Sequence, residues 1–420
     1  MATTPESLWE VRRIPNKGYG VVATATIEPG TRLLMEKPLY IRPMTDDPIP
    51  QQNSIVESLV RNLPDPAQRD AFHALASSYA VLYPDYPNYS IATTNEVALS
   101  GAQDGASGLF LRWSRFNHAC APSAYWAWND DTGGGVGVLT VHAIRRLRPG
   151  DEISISYFEN RVMPHDDRER YLAEVYCFAC DCALCSLALG PWRDDVDARL
   201  RQLAAFWRKY HGPPSSPSPS SSSGDVLPKG GSREEEDDDH SVNANAVNDI
   251  KKPPNQRHRF LHDPITCYAE CREAAALILE AEEDVVGDGT GFGGEDGDIA
   301  GCLDVTFPYE TALALTLLLG DAARASVFAA RNQARYRVTL GADSASAVRA
   351  GLCARDPGAD RSFGLGLGGG GRRRVCSSVV PDVGEIGEEA FEDWLWSVED
   401  WGLGGDLSVA SGGDGGQVHT

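Results

Sequence analysis

The sequence predicts an α+β protein in which a β-rich first half precedes a helical second half. Three observations lead to this fold class: short strand patterns over residues 18–40 and 109–157, a cysteine run at 180–185, and helical periodicity after residue 257. With 420 residues the chain is long enough for two or three domains, and its 42% hydrophobic content can supply a sizeable core.

The first strands are predicted on either side of a turn. Residues 20–23 and 32–36 are apolar segments, and Glu28-Pro29-Gly30 between them is typical of a turn. Residues 53–82 then have a helical pattern, with Ile55, Leu59, Val60 and Leu63 on one face and Pro64 ending the helix.

A hairpin and a third strand pattern follow. Residues 124–128 and 136–143 are predicted to pair around a glycine-rich loop, and a Pro-Gly-Asp turn comes next. Residues 153–157 alternate apolar and polar side chains, which indicates a half-buried strand. Residues 166–176 are predicted to be a short helix leading into the cysteine run.

The second half is predicted to be helical, with polar and glycine-rich interruptions. Residues 212–256 combine a Pro/Ser run with an acidic run, a composition that cannot bury enough apolar area and indicates a disordered linker. On the helix that covers residues 261–285, the expected inner positions are Ile265, Tyr268, Ala269, Ala276 and Leu279. A helix is predicted at 191–211 and a helical region at 257–350. Within that region, a pair of helices at 304–349 is interrupted just before Asp321, which is the expected N-cap of the second helix. A flexible glycine-rich stretch at 354–388 and a short helix at 388–398 follow.

The charge distribution limits the classes of partner. The net charge is −22, of which residues 1–190 contribute −6 (16 basic, 22 acidic) and the remaining 230 contribute −16 (22 basic, 38 acidic). Such acidity disfavours direct nucleic-acid binding and favours a basic protein partner. No apolar run resembles a signal peptide or a membrane span. We therefore expect an intracellular protein without membrane contact; the sequence does not decide between nucleus and cytoplasm.

The cysteine run predicts a metal site. Cys180, Cys182 and Cys185 form a C-x-C-x-x-C pattern, and three thiolates this close can surround one tetrahedral zinc ion at about 2.3 Å each. Ordinary buried cysteines usually occur singly, so the run favours metal over core packing. A structural zinc ion needs a fourth ligand, and the spacing alone leaves its identity open between nearby Cys177 and a more distant cysteine.

Four motifs follow one another along the first part of the chain. They are Gly18-Tyr19-Gly20, Arg115-Phe116-Asn117-His118-Ala119-Cys120, Gly150-Asp151-Glu152-Ile153-Ser154-Ile155-Ser156-Tyr157 and Tyr176-Cys177-Phe178-Ala179-Cys180. In order and spacing they resemble the SET domain followed by a post-SET zinc knuckle, in particular fungal-type SET proteins related to the SET-and-MYND branch. The resemblance extends over about residues 9–190.

Some positions depart from the family pattern. Ala119 stands where serine is usual, and Ser123 stands where asparagine is common. No cysteine occurs between residues 41 and 100, so the MYND finger is missing and no function of that finger is expected.

The resemblance implies a fold and a domain layout. The fold is a β-rich SET fold with a threaded, pseudoknot core, followed by a zinc knuckle and an α-helical C-terminal region. The SET domain would cover residues 9–160 with a helical insert at about 41–100, and the knuckle would cover 161–190. Cys120 would complete the zinc site as its fourth ligand.

The resemblance also implies lysine methylation of a protein substrate, with S-adenosylmethionine as methyl donor. Tyr157 would be the catalytic residue, and Glu152 would steady the threaded segment. Each motif alone has a more ordinary interpretation: a turn for Gly-x-Gly, a capped turn for Asn-His, and core packing for a lone Phe or Tyr. Only their combination favours a site. The residues expected at the cofactor are Lys17, Gly18, Tyr19, Gly20, Asn117, His118 and Phe178.

Two other functions remain open from the sequence. A catalytically silent SET-like module could act as a peptide- or protein-binding adaptor, and it would retain ligand binding without turnover. A purely structural zinc adaptor would bind no cofactor. If the chain is an enzyme, its acidic balance favours a protein substrate with basic residues around the target lysine.

Overall fold

A computed structural model describes residues 8–99, 105–130, 137–158, 163–186, 190–211, 263–287, 306–364, 379–398 and 401. The linker predicted at 212–256 lies outside these residues, as does the middle of the predicted glycine-rich stretch. Within the described part of the chain, no helix is both long and apolar enough to cross a membrane.

The described strands form three small sheets. In the first sheet, β10 (Glu152–Ile155) lies between β2 (Gly18–Ala23), to which it is antiparallel, and β7 (Asn117–His118), to which it is parallel. The hairpin predicted around the glycine-rich loop is present as β8 (Ala124–Asn129) and β9 (Val138–Ala143). The first sheet contains β1 (Trp9–Ile14), β2 (Gly18–Ala23), β10 (Glu152–Ile155) and β7 (Asn117–His118); the second contains β3 (Arg32–Glu36), β9 (Val138–Ala143) and β8 (Ala124–Asn129); the third contains β4 (Tyr40–Pro43), β6 (Ala106–Leu109) and β5 (Glu96–Ala98).

The strand before Tyr157 is shorter and more deeply buried than predicted. It ends at Ile155, two residues before Tyr157. Ser154 and Ser156 are buried along with Ile153 and Ile155, so the prediction of a half-buried strand was wrong. Ser123 covers the serine side of this strand, since its Oγ accepts from the Ser154 N–H at 2.9 Å and its N–H donates to the Ser154 carbonyl oxygen at 3.1 Å.

The helical insert consists of three helices where one pattern was predicted. They are α1 (Ile49–Arg61), α2 (Pro66–His73) and α3 (Pro87–Asn95). Asp65 caps α2 by accepting a hydrogen bond from the Ala67 N–H, and Pro66 occupies its first position. Helix α1 therefore ends before Pro64, as predicted, and the N-cap followed by proline starts a new helix after it.

The segment after the SET strands leads into the cysteine run. Helix α4 (His165–Tyr171) continues into a π-helical turn, Leu172–Tyr176. Cys177 then adopts the left-handed conformation, with φ of 60°. This reversal ends the helix and directs the chain toward the three cysteines.

The second half is a helical assembly. Asp321 caps its helix by accepting from the Arg324 N–H, as predicted, and Ser344 caps the helix that follows. The predicted pair at 304–349 is therefore three helices. The helices are α5 (Pro191–His211), α6 (Pro264–Gly287), α7 (Thr306–Leu319), α8 (Ala322–Thr339), α9 (Ala345–Arg355), α10 (Val383–Ile386) and α11 (Glu388–Trp396).

The inner face of α6 differs from the predicted one. Tyr268 is buried as expected, but Ala269, Ala276 and Leu279 are exposed. Cys267, Cys271, Ala274, Ala275 and Ile278 line the core instead. The two cysteines were not counted among the inner positions of this helix, although free cysteine behaves as a small core residue.

The helical half packs on the second sheet through the end of α8. Arg32 on β3 donates to His142 on β9 at 3.1 Å and forms an ion pair with Asp343. Gly341, with φ of 93°, lies against both Arg32 and His142, where a Cβ atom would be 2.8 Å from the His142 ring. A glycine is therefore required at this junction.

Candidate active site and metal centre

Four cysteine sulfurs lie together beside the first sheet. Cys120 follows β7, and the other three belong to the cysteine run. The Cys120 Sγ is 3.4 Å from that of Cys185 and 3.9 Å from that of Cys180, and all four sulfurs lie within 4.8 Å of one another. A tetrahedral zinc ion with bonds of about 2.3 Å holds its sulfurs about 3.8 Å apart, so the geometry fits zinc.

The thiols shift each other's protonation strongly. Hydrogen bonds with Cys120, Cys182 and Cys185 lower the pKa of Cys180. The hydrogen bond with Cys120 is the main cause that lowers the pKa of Cys182 to about 6. The hydrogen bond to Cys180 raises the pKa of Cys120. Four partly buried sulfurs cannot all ionise side by side unless a cation compensates their charge. Exposed Cys177 is not part of this group.

Tyr157 lies just past the end of β10. Its hydroxyl donates to the Phe116 carbonyl oxygen at 2.9 Å. Burial raises the pKa of the Tyr157 phenol, and the charge of Glu152 adds to the effect. The phenol therefore stays protonated and can orient a partner but cannot act as a base near neutral pH.

Aromatic rings surround Tyr157. The ring centroid of Tyr176 lies 5.1 Å from that of Tyr157, and the ring of Phe178 lies 6.5 Å away and perpendicular to it. The Tyr176 hydroxyl donates to the Tyr157 carbonyl oxygen at 3.2 Å. The sequence analysis assigned a role to Phe178 and none to Tyr176. Because both are aromatic and lie on either side of Cys177, their positions in the sequence could have indicated a shared role.

Asn117 and Glu152 join the two parallel strands. The Asn117 Nδ2 donates to Glu152 Oε1 at 2.8 Å. A Cβ atom on Gly20 would lie 2.6 Å from the same Nδ2, so only glycine fits there. Gly18 has φ of 75° and open space around it, and Tyr19 is 57% exposed. The backbone at Gly18 and Tyr19 is thus exposed, whereas Gly20, which lies against Asn117, is buried.

Lys17 has partners that the sequence did not indicate. It was predicted to pair with the cofactor carboxylate. In the structure its ammonium lies 3.3 Å from Glu152 and 2.9 Å from Asp181. Burial lowers the pKa of Lys17, but the hydrogen bond to Asp181 and the charge of Glu152 outweigh it and give a net increase. Lys17 therefore ties the cysteine run to β10.

His118 contributes a side chain as well as backbone. Its ring is buried, and the ring centroids of Phe158 and Tyr157 lie 4.8 and 5.2 Å away. The structure thus brings the predicted metal ligands, Tyr157, Asn117, His118 and Phe178 to one end of the β7–β10 pair.

Comparison with known proteins identifies the domain. Residues 18–158 match the SET domain family. The matched region lies in the β-rich first half, and a β-rich core followed by helices is the predicted fold class.

The relatives are lysine methyltransferases by name. Histone-lysine N-methyltransferase set5 of Schizosaccharomyces pombe is 32% identical over 203 residues, 48% of this chain and 57% of that protein. Histone-lysine N-methyltransferase SMYD3 of Homo sapiens is 31% identical over 118 residues, 25% of this chain and 26% of that protein. Protein-lysine N-trimethyltransferase SMYD5 of Homo sapiens is 36% identical over 81 residues, 19% and 18% of the two chains. The chain thus spans little more than half of the first relative and about a quarter or less of the others.

Proposed function

We propose that this protein is a protein-lysine N-methyltransferase that uses S-adenosylmethionine and carries a structural zinc ion. The SET domain and the names of its relatives support the reaction class. The observation that bears most directly on the chemistry is the Tyr157 hydroxyl, which is buried among aromatic rings and fixed by the Phe116 carbonyl.

The cofactor would bind along the exposed backbone of Gly18 and Tyr19, near Asn117. S-adenosylmethionine, when bound, supplies an electrophilic methyl group on its sulfonium. Because the Asn117 Nδ2 is held by Glu152, its amide is oriented with Oδ1 as the remaining acceptor for the ammonium end. The ammonium of Lys17 has three donors, so it can contact the cofactor carboxylate as well as Glu152 and Asp181. Gly18, Tyr19, Gly20, the His118 backbone and Phe178 would complete the site.

Tyr157 would position the amine of the substrate lysine. Its O–H donates to Phe116, so its oxygen lone pairs can accept a hydrogen bond from the amine N–H and direct the nitrogen lone pair. A free lysine has a pKa of about 10.4, and burial among the rings of Tyr157, Tyr176 and Phe178 would favour the neutral, nucleophilic form.

The metal would have a structural role. Cys120, Cys180, Cys182 and Cys185 would fill all four positions of a tetrahedral zinc ion, and a closed site of this kind has no position for a substrate. It would hold the segment that bears Tyr176 and Phe178 against the β7–β10 pair.

A labelled-cofactor assay tests the activity. Purified protein is incubated with methyl-labelled S-adenosylmethionine and a cell extract, and labelled lysines are identified. We expect wild-type protein to label protein lysines and Asn117→Ala to bind cofactor more weakly by calorimetry. Cofactor binding without labelling in a broad extract would favour the adaptor function, and no cofactor binding would contradict the proposal.

The acidity of the chain suggests the kind of substrate. With a net charge of −22, it should attract peptides with basic residues around the target lysine. Matched basic and neutral lysine peptides are compared across salt concentrations. The basic peptide should react faster at low salt and lose this advantage as salt rises, since screening weakens the attraction. Equal rates at every salt concentration would exclude this preference.

A further inference from the structure

The side chain of His118 lies between the cysteine site and Tyr157. The backbone N–H of Tyr157 donates to His118 Nδ1 at 3.0 Å. On the other side of the ring, Nε2 is 3.3 Å from the Cys120 sulfur. The residue is 4% exposed, so both contacts are shielded from water.

The hydrogen bond from Tyr157 fixes which nitrogen carries the ring proton. Because Nδ1 accepts, it has no proton, and in the neutral ring the proton is on Nε2. Nε2–H then points to Cys120 Sγ, which as a metal-bound thiolate is an anionic acceptor. The His118 imidazole therefore accepts a hydrogen bond from the Tyr157 backbone and donates one to the Cys120 sulfur.

The surroundings hold the ring in this orientation. Phe158 packs edge-on at 4.8 Å, and Tyr157 and Phe178 lie 5.2 and 6.0 Å away. The backbone next to His118 is also fixed, since the Ala119 N–H donates to the Ile155 carbonyl at 2.9 Å. A ring so constrained cannot move at one end without moving at the other.

Cys120 has a special place among the four sulfurs. The other three belong to a single run of six residues, whereas Cys120 follows β7 directly. Groups that hydrogen-bond to a metal ligand orient that ligand and adjust its charge. His118 does this for the one ligand that connects the run to the site strands.

We propose that His118 is a positioning residue that couples the metal centre to the backbone of Tyr157 by donating to the Cys120 thiolate and accepting from Tyr157. This inference rests on the proposed function for its effect on turnover. The two contacts themselves can be tested without any activity.

Two substitutions separate the two contacts. In His118→Asn the amide falls near the position of Nδ1, so it keeps an acceptor for Tyr157 and loses the donor to Cys120. In His118→Gln the longer side chain places its amide near Nε2, so it keeps the donor and loses the acceptor. The two variants are otherwise matched, since both are neutral amides.

The absorption spectrum of the cobalt(II)-substituted protein reports the contact of His118 with Cys120, and hydrogen exchange of the Tyr157 amide reports the contact with Tyr157. In the cobalt-substituted protein, loss of the hydrogen bond to sulfur makes the thiolate a better electron donor. The thiolate-to-metal charge-transfer band should shift to longer wavelength in His118→Asn and stay in place in His118→Gln. Hydrogen exchange at the Tyr157 amide should speed up in His118→Gln and remain slow in His118→Asn. Identical behaviour of both variants in both measurements would overturn the proposal.

The wild-type protein supplies a test that does not depend on variant folding. With isotope-labelled histidine and an NMR-active cadmium isotope in the metal site, the Nε2 proton of His118 should show scalar coupling to cadmium through the N–H···S bond. The nitrogen shifts should identify Nδ1 as unprotonated. A proton on Nδ1, or no coupling, would contradict the arrangement.

Turnover then tests the consequence for catalysis. Both variants should lower kcat by about 10- to 100-fold, with little change in KM for the peptide, because ligand-supporting groups usually have effects of this size. If wild type methylates nothing, the proposed function fails while the cobalt, exchange and cadmium results still decide the link. If wild type is active and both variants retain its kcat, the coupling is refuted.

Discussion

The cysteine segment and the helical half of this chain are held together by different physical forces. Around the cysteines, the buried cluster is small: Ala119, Cys120, Phe158, Leu172 and Cys182. The helical half has a large aromatic core, in which Phe328 contacts Tyr268 and Trp396 at ring distances of 6.0 and 4.9 Å. Because the cysteine segment buries so little apolar surface, we expect it to depend on metal ligation, whereas the helices depend on burial.

The comparison predicts its largest effect at the metal ligands. Cys182→Ser removes a ligand, so the protein should lose its zinc, and the segment after Tyr176 should lose its order. Metal analysis should give about one zinc per wild-type chain and almost none in the variant, and hydrogen exchange should rise over residues 177–186 and stay unchanged in α6–α8. Cys353→Ser, which removes a buried thiol in the helical half, should retain the metal. Zinc retention in Cys182→Ser would break the comparison.

Removing a buried side chain from the helical half should lower stability without affecting the metal. Phe328 is fully buried, and Phe328→Ala should destabilise the protein by about 3–5 kcal/mol through lost burial and a cavity. Denaturant unfolding measures this loss, and zinc content should remain unchanged. Val348→Ala, at a half-exposed position on α9, is the control and should cost far less. A loss of zinc in Phe328→Ala would show that the two regions are not separately stabilised.

Tyr157 tests whether the site beside the cysteine segment is chemical or structural. Tyr157→Phe keeps the ring and removes one oxygen, so zinc and cofactor binding should stay close to wild type. Turnover should fall about 100-fold, the usual scale for losing a positioned polar group. Initial methylation rates measure this, with Tyr309→Phe in the helical half as a control of equal chemistry. Wild-type turnover in Tyr157→Phe would show that another group orients the amine.

The junction between the halves should show the smallest effect, and it depends on pH. Burial, with the charge of Arg32 adding to it and that of Asp343 opposing it, lowers the pKa of His142 to about 4. The unfolded chain has the ordinary pKa of about 6.5, so between these values it binds more protons than the folded protein. Stability is therefore complete above pH 6.5 and declines as the pH falls toward 4, by about 1 kcal/mol at pH 5.5.

Paired unfolding curves isolate this contribution. The wild type and His142→Gln are unfolded in denaturant at pH 7.5 and 5.5, and the difference in their pH dependence is the His142 contribution. His142→Gln should lose less stability over this interval than the wild type. Equal losses in both proteins would mean that His142 does not titrate differently in the folded state.

Sequence reasoning was most successful where the evidence was local. The helix cap at Asp321 and the hairpin of β8 and β9 depend on neighbouring residues, and both are present. The face of α6 was misjudged, because an alanine-rich helix has a weak pattern and only its neighbours decide which side is buried. The end of the first helix before Pro64 was predicted, but the two helices after it were not, because Asp65 was not considered as a cap.

Sequence patterns were enough to recognise the SET motifs, the three clustered cysteines and the strand pattern that leads to Tyr157. These features depend on residue types at short spacing, which limits what the local chain can form. The contacts of Lys17 with Glu152 and Asp181, and the bridge that His118 forms between Cys120 and Tyr157, were visible only in the folded chain. The His118 contacts depend on the parallel pairing of β7 with β10, a strand about 35 residues away, and Lys17 lies directly before β2, which pairs antiparallel with β10. Local sequence patterns do not encode the register of such pairings.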